Sequence, residues 1–280
     1  MRFEKWQALG NDYVIVEAAA LPRRLDAALV RRLCDRHAGP GADGVLELSA
    51  ARAPGAVARL RIFNPDGSEA ELSGNGAREA ILYLRRAGWT DRDEFAVETL
   101  AGEIRPTILS ATTCRVAMGQ ARLRSPHYPG GPPDGRGTIA GRPFQHVSVG
   151  NPQCAIAMRS VPELEALDLA AIGPDIERSD LFPNRTNVSW FAELAPGVIR
   201  ARIFERGVGE TTASGTGATG AAVAYVLRGG DSPVTVRLDG GELEVEVGED
   251  LDVDLTGWAV PVFRGELSDA DAVFAQGLGE

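Results

Sequence analysis

The chain has 280 residues, 44% hydrophobic and 24% charged, an ordinary globular composition with length for two domains at ~150 residues each. With 39 acidic against 29 basic residues the net charge is −10, and an acidic excess without a basic patch argues against nucleic-acid and anionic-membrane partners. Cys34, Cys114 and Cys154 fit neither a disulfide framework nor metal-ligand spacing. There is no apolar leader, and no apolar run approaches ~20 residues, so the expectation is a cytoplasmic protein with no membrane span and no metal.

In chain order, RFEKWQAL (2–9) and YVIVEA (13–18) read as strands. DAALVRRLCDRHA (26–38) carries apolar residues at helical spacing and ends at Gly39. ARLRIFN (58–64) is a strand, NGAREAILYLRRAG (75–88) a helix stopped by Gly88, and EFAVET (94–99) and CRVAMG (114–119) are strands. SPHYPGGPPDGRGT (125–138) lacks apolar periodicity and reads as a loop between two halves, with a long hairpin inside the second half as the alternative. FQHVSVG (144–150), CAIAMR (154–159) and VIRARIFE (198–205) follow as strands. TGATGAAVAYVLRGG (216–230) is apolar nearly all round, hence a buried helix, and VTVRL (234–238) and ELEVEVG (242–248) are strands.

The chain contains itself twice. RIFNPDGSEAELSGNGAREA (61–80) and RIFERGVGETTASGTGATGA (202–221) share Arg-Ile-Phe, one Glu (Glu69 and Glu210) and S-G-x-G-A at a constant offset of 141. Upstream, ALGNDYVIV around Asn11 matches SVGNPQCAI around Asn151 at an offset of 140. The fold expected is α+β: two pseudo-symmetric domains facing each other about a near-twofold axis, each a mostly antiparallel sheet wrapped around a central helix.

Ser73 and Ser214 stand immediately before the two repeated helices. A serine there is a good N-cap, which explains either one alone. Gly74, Gly76, Gly215 and Gly217 let backbone approach a ligand closely, and the helix start attracts anions, so two symmetric anion sites are expected at one cleft. Neither segment fits a P-loop or a dinucleotide fingerprint. The chain has only six asparagines, and Asn11, Asn64, Asn75 and Asn151 lie in or beside the repeats. Amides offer donors and an acceptor without net charge, so several converging ones suit an amino-acid zwitterion. Glu205-Arg206 stands where the first half has Asn64-Pro65, an ion pair suited to a second charged end of the ligand.

These residues resemble the diaminopimelate epimerase family over nearly the whole chain. The motifs are LGNDY (9–13), DRHAGPGADG (35–44), RIFNPDGSEAELSGNGAR (61–78), GNP (150–152), FPNRTNV (182–188), ERGVGET (205–211), SGTGA (214–218) and VFRGEL (262–267). The resemblance implies a cofactor-independent epimerase of LL- and meso-diaminopimelate, in lysine and peptidoglycan biosynthesis, working by two-base proton transfer on a small diamino-acid substrate. A homodimer is compatible with it. It also implies that the last strand returns to the first domain, giving 1–118 plus 264–280 against 119–263.

The family's two catalytic cysteines fall on Ser73 and Ser214. Asn11, Asn64, Gly74, Asn75, Asn151, Asn187, Glu205, Arg206, Gly215 and Thr216 fall on substrate-binding positions. The positions that tune the acid–base pair are Gln153, where the family has His, and Glu205. Thiols are far more acidic than hydroxyls, so the serines imply slow turnover unless a base supports them. Glu69 and Glu210, four residues before each serine, are minor candidates for that base. The alternatives are a non-catalytic amino-acid-binding homologue, or an isomerase of another amino acid.

Overall fold

A computed structural model of the chain describes residues 1–70 and 73–267. Two compact units are present among the described residues: Met1–Val116 with residues 258–267, and Ala117–Gly257. The first holds β1 (Arg2–Ala8), β2 (Asn11–Glu17), α1 (Ala27–Cys34), β3 (Gly44–Ser49), β4 (Ala56–Phe63), β5 (Glu69–Ala70), α2 (Gly74–Arg86), β6 (Ala96–Thr99), β7 (Gly102–Ile104) and β8 (Pro106–Ile108). In β9 (Thr113–Gln120) the chain passes into the second unit. There follow β10 (Arg136–Ile139), β11 (Arg142–Ser148), β12 (Pro152–Ala157), α3 (Val161–Glu165), α4 (Leu169–Glu177), β13 (Asn187–Ala195), β14 (Val198–Glu205), β15 (Gly209–Thr211), α5 (Gly215–Val226), β16 (Val234–Leu238), β17 (Gly241–Val247) and β18 (Asp252–Trp258). Finally β19 (Val260–Glu266) rejoins the first unit.

Each unit is a mixed, mostly antiparallel sheet. The first runs β19-β1-β2-β3-β4-β6-β7 with β5 on β4, and the second β10-β11-β12-β13-β14-β16-β17-β18 with β15 on β14. From β1 and from β11 onward the two sequences of pairings are the same. β2–β3 and β12–β13 are parallel, as are β4–β6 and β14–β16, and the pairs between them are antiparallel. Parallel neighbours need a crossover, and helices supply it. α1 crosses β2 to β3, α2 crosses β4 to β6, α3 and α4 cross β12 to β13, and α5 crosses β14 to β16. The matched S-G-x-G-A segments therefore begin equivalent crossovers, each after a strand and a short hairpin. The expected α+β architecture, a sheet around a central helix in each half, is what is found.

α5 is buried because its sequence leaves no polar face, and α2 is buried although it carries Arg78 and Glu79 inside. α5 buries Gly217–Tyr225 against β11, β12, β13, β14, β16 and β17. α2 buries Asn75–Leu84 against β1–β4. Leu84 and Val223 are fully buried, each worth ~1.5–3 kcal/mol of apolar burial.

Some expectations are corrected. The helix expected over 26–38 stops at Cys34, because the Asp35 carboxylate accepts from His37 N and Ala38 N (2.7 and 2.8 Å) and turns the chain out of the helix. The segment 125–138 lies inside the second unit rather than between the halves, and its end enters β10. The return to the first unit comes before 264, since β19 pairs with β1 from Gln7↔Val260 to Arg2↔Glu266. Residues 268–280, expected with the first domain, lie outside the described residues.

Candidate active site

In the first unit the β1–β2 hairpin turns on Leu9 and Gly10, both at positive φ (54° and 85°), and delivers Asn11 at the head of β2. Asn11 Nδ2 donates to Asp43 Oδ2 (2.9 Å), and Asn11 Oδ1 accepts from Asn75 Nδ2 (3.2 Å) at the start of α2. Asn75 Oδ1 accepts in turn from the fully buried Arg78 (2.5 Å), whose other terminal nitrogen donates to Gly74 O (3.1 Å). The chain of donors fixes which way each amide points and leaves one N–H of each amide for a ligand. Ser73 caps α2: its Oγ accepts from Gly76 N (3.1 Å). The cap takes the third helical N–H, and those of Gly74 and Asn75 are left at the positive end of the helix. Tyr13, buried on β2, donates its hydroxyl to the same Ser73 Oγ (3.1 Å). Asn64 stands apart, with its amide on Ser68 Oγ (2.9 Å) in an exposed turn.

The second unit repeats the plan with other side chains. Ser214, buried, caps α5 by accepting from Gly217 N (3.2 Å), and the Gly215 and Thr216 N–H groups lie at the helix start. Asn151, after the Val149-Gly150 turn, donates to Thr216 Oγ1 (3.1 Å). Gln153 is wholly buried and donates to Asn151 Oδ1 (2.7 Å). Asn187, opposite Gln153 in the parallel ladder, accepts from Arg206 N (2.8 Å). Burial raises the Glu205 carboxyl above the ordinary carboxylate range, and a hydrogen bond from the Ser214 hydroxyl pulls it part of the way back.

Two expectations fail here. Glu205 and Arg206 form no ion pair among the described residues: the Arg206 guanidinium turns to Asn184 O (2.9 Å). Glu69 and Glu210 are not bases for the serines. Arg61 grips Glu69 with two nitrogens (2.9 and 2.8 Å) and Arg202 grips Glu210 (2.9 and 2.7 Å). The Arg61 hydrogen bonds hold the Glu69 carboxyl below its ordinary range, so it is a fixed charge rather than a proton acceptor. Reasoning from sequence missed Tyr13 and Arg78. Tyr13 was within reach, because the 140-residue offset makes it the repeat equivalent of Gln153.

Two like units with capped helix starts and oriented amides define a class. Solved structures share this fold, among them a Bacillus anthracis phenazine biosynthesis protein of the PhzF family (TM-score 0.70, 18% identity, 95% of this chain and 98% of that one). Another is a hydroxyproline epimerase from Agrobacterium vitis with bound trans-4-OH-L-proline (TM-score 0.67, 15% identity, 95% of this chain and 91% of that one). Within the class the family is narrower. The diaminopimelate epimerase family profile matches residues 3–124 and 145–260. Curated diaminopimelate epimerases of Pelotomaculum thermopropionicum and Desulforudis audaxviator are 41% and 44% identical, covering 95% of this chain and 98% and 99% of theirs. The chain belongs to the diaminopimelate epimerase family.

Proposed function

We propose that this chain interconverts LL- and meso-diaminopimelate by proton transfer at the α-carbon, without a cofactor, with Ser73 and Ser214 at the two proton-carrying positions. The observation that carries this reading is the matched pair of half-sites. Each has a serine oxygen at a helix start, adjoining backbone N–H groups suited to an α-carboxylate, and an asparagine amide of fixed orientation. Identity near 40% along the full length of curated diaminopimelate epimerases supports an enzyme over a binding protein. Arg206 suits the distal carboxylate, since one nitrogen is held by Asn184 and the fork keeps donors for a bidentate partner. No helix among the described residues is long and apolar enough to cross a membrane. The three cysteines are free and buried, which suits a reducing cytoplasm.

Serine sets the speed. Proton abstraction favours a group whose pKa lies near the working pH, and a thiol at a helix start meets that condition better than a hydroxyl. Ser73→Cys combined with Ser214→Cys is therefore expected to raise kcat for LL-diaminopimelate by ~10²–10⁴, with each single change giving less than its share. A parent protein already as fast as the double variant contradicts a rate limited by the hydroxyls.

A further inference from the structure

The two serines are in different hydrogen-bonding states. Ser73 Oγ accepts twice, from Gly76 N and from the Tyr13 hydroxyl, so its own proton is free to be donated. Ser214 Oγ accepts from Gly217 N, and its hydroxyl acts on the Glu205 carboxyl to pull it down against burial, which leaves a lone pair on the oxygen to receive a proton. The repeat puts this difference in register. Two pairs of positions correspond through the repeat offsets, Tyr13 with Gln153 and Asn64 with Glu205; Tyr13 reaches Ser73, whereas Asn64 turns away to Ser68. Each unit holds one ionisable group and one amide, at exchanged positions: a phenol with an amide, then an amide with a carboxyl.

Tyr13 is held in place with more care than a core ring needs. A β-carbon at Gly44 would stand 2.4 Å from Tyr13 Cε1, and one at Gly76 would stand 3.4 Å from Cε2. The absent side chain at Gly44 on β3 thus admits the ring, which lies in ordinary contact distance of Gly76 and reaches along β2 to put its hydroxyl on the serine.

We infer that Tyr13 is a positioning and proton-relay residue for the epimerisation proposed above, on which this inference rests: it supplies Ser73 with the proton that Ser73 delivers to the substrate, as Glu205 removes the proton that Ser214 collects. In one direction the Cα–H bond breaks and its electron pair stays on carbon. The proton goes to Ser214 Oγ as the Ser214 proton passes to Glu205. The other face of the carbon takes the Ser73 proton, and Ser73 takes that of Tyr13, leaving a phenolate and a carboxylic acid. The reverse reaction starts from that state, and solvent exchange restores the first. The two halves are therefore an acid and a base of different kinds, not a symmetric pair of hydroxyls.

Other charged groups lie on the elements around Tyr13. Lys5, Asp12, Arg36 and Asp43 pair among themselves at 2.7–2.9 Å. On α2, burial pushes Glu79 well above the carboxylate range and Arg78 down to about 10. Arg78 therefore stays intact in every variant of the test.

The experiment is Tyr13→Phe, read by kcat/KM against pH for both epimers and by calorimetric binding of diaminopimelate. The phenylalanine ring keeps the packing against Gly44 and Gly76. Expected are binding within about threefold of the parent, a loss on the order of 10²-fold in rate in both directions, and disappearance of the alkaline limb with Arg78 intact. Tyr13→Phe combined with Ser73→Ala should cost little more than Ser73→Ala alone. Unchanged rate and limb in Tyr13→Phe overturn the relay and leave the epimerase reading standing. A parent that neither epimerises diaminopimelate nor exchanges its α-proton overturns both.

Discussion

A hydroxyl at a helix start caps well and ionises poorly, and the residues around Ser73 and Ser214 fit that limitation. Ser214 has a half-buried carboxyl within reach, and Ser73 a phenol. Orientation is set one residue further out, where Arg78 and Gln153 use their donors to turn Asn75 and Asn151. Not every buried polar side chain in the second unit serves the site. His146 is fully buried on β11, with Nε2 on Ser125 Oγ (2.8 Å) and its ring against Tyr128 and Phe182. Burial, helped by nearby His127, pushes His146 down to about 4. An unfolded histidine binds its proton near ~6.5, so its contribution to stability is complete above that pH and is lost as pH falls toward 4. In urea melts from pH 7 to 4, the parent should lose on the order of 2 kcal/mol more than His146→Phe. Equal losses place the acid sensitivity elsewhere.

At the scale of elements, the crossover helices tie the site to the core. α5 lies so close to β12 that a β-carbon at Gly220 would stand 2.7 Å from Gln153 Cβ, an atom fixed to the strand and unable to swing away. Gly220→Ala should cost ~1–3 kcal/mol in chemical denaturation and raise KM, because Gln153 holds Asn151. Wild-type stability and KM contradict that packing. The same elements explain what the sequence made legible. The helices at 75–88 and 216–230 stood out through their glycine stops and apolar stripes, and alternating strands such as ELEVEVG through their period. β3 and β13 were missed because both faces are covered: Val45–Leu48 and Asn187–Ala192 are buried throughout, so neither segment alternates. α3 and α4 were missed because they are short, and Pro174 sits inside α4.

At the scale of the whole molecule, an internal repeat at half the chain length makes the doubled architecture readable from the sequence alone. The motifs named the asparagines and serines of the site. Hydrogen-bond direction was not readable: no spacing says that Tyr13 points at Ser73, or that Arg206 turns from Glu205 to Asn184. Those choices depend on which backbone and side-chain partners the folded sheet presents. The central claim is that two hydroxyl-bearing half-sites still move the α-proton of a diaminopimelate. Incubating the parent protein with LL-diaminopimelate in D2O, and following the α-position by proton NMR and mass spectrometry, tests it most directly. The account predicts slow incorporation of one deuterium at a single α-carbon with formation of the meso epimer, abolished in Ser73→Ala and in Ser214→Ala. Incorporation that persists in both alanine variants, or none in the parent, contradicts it.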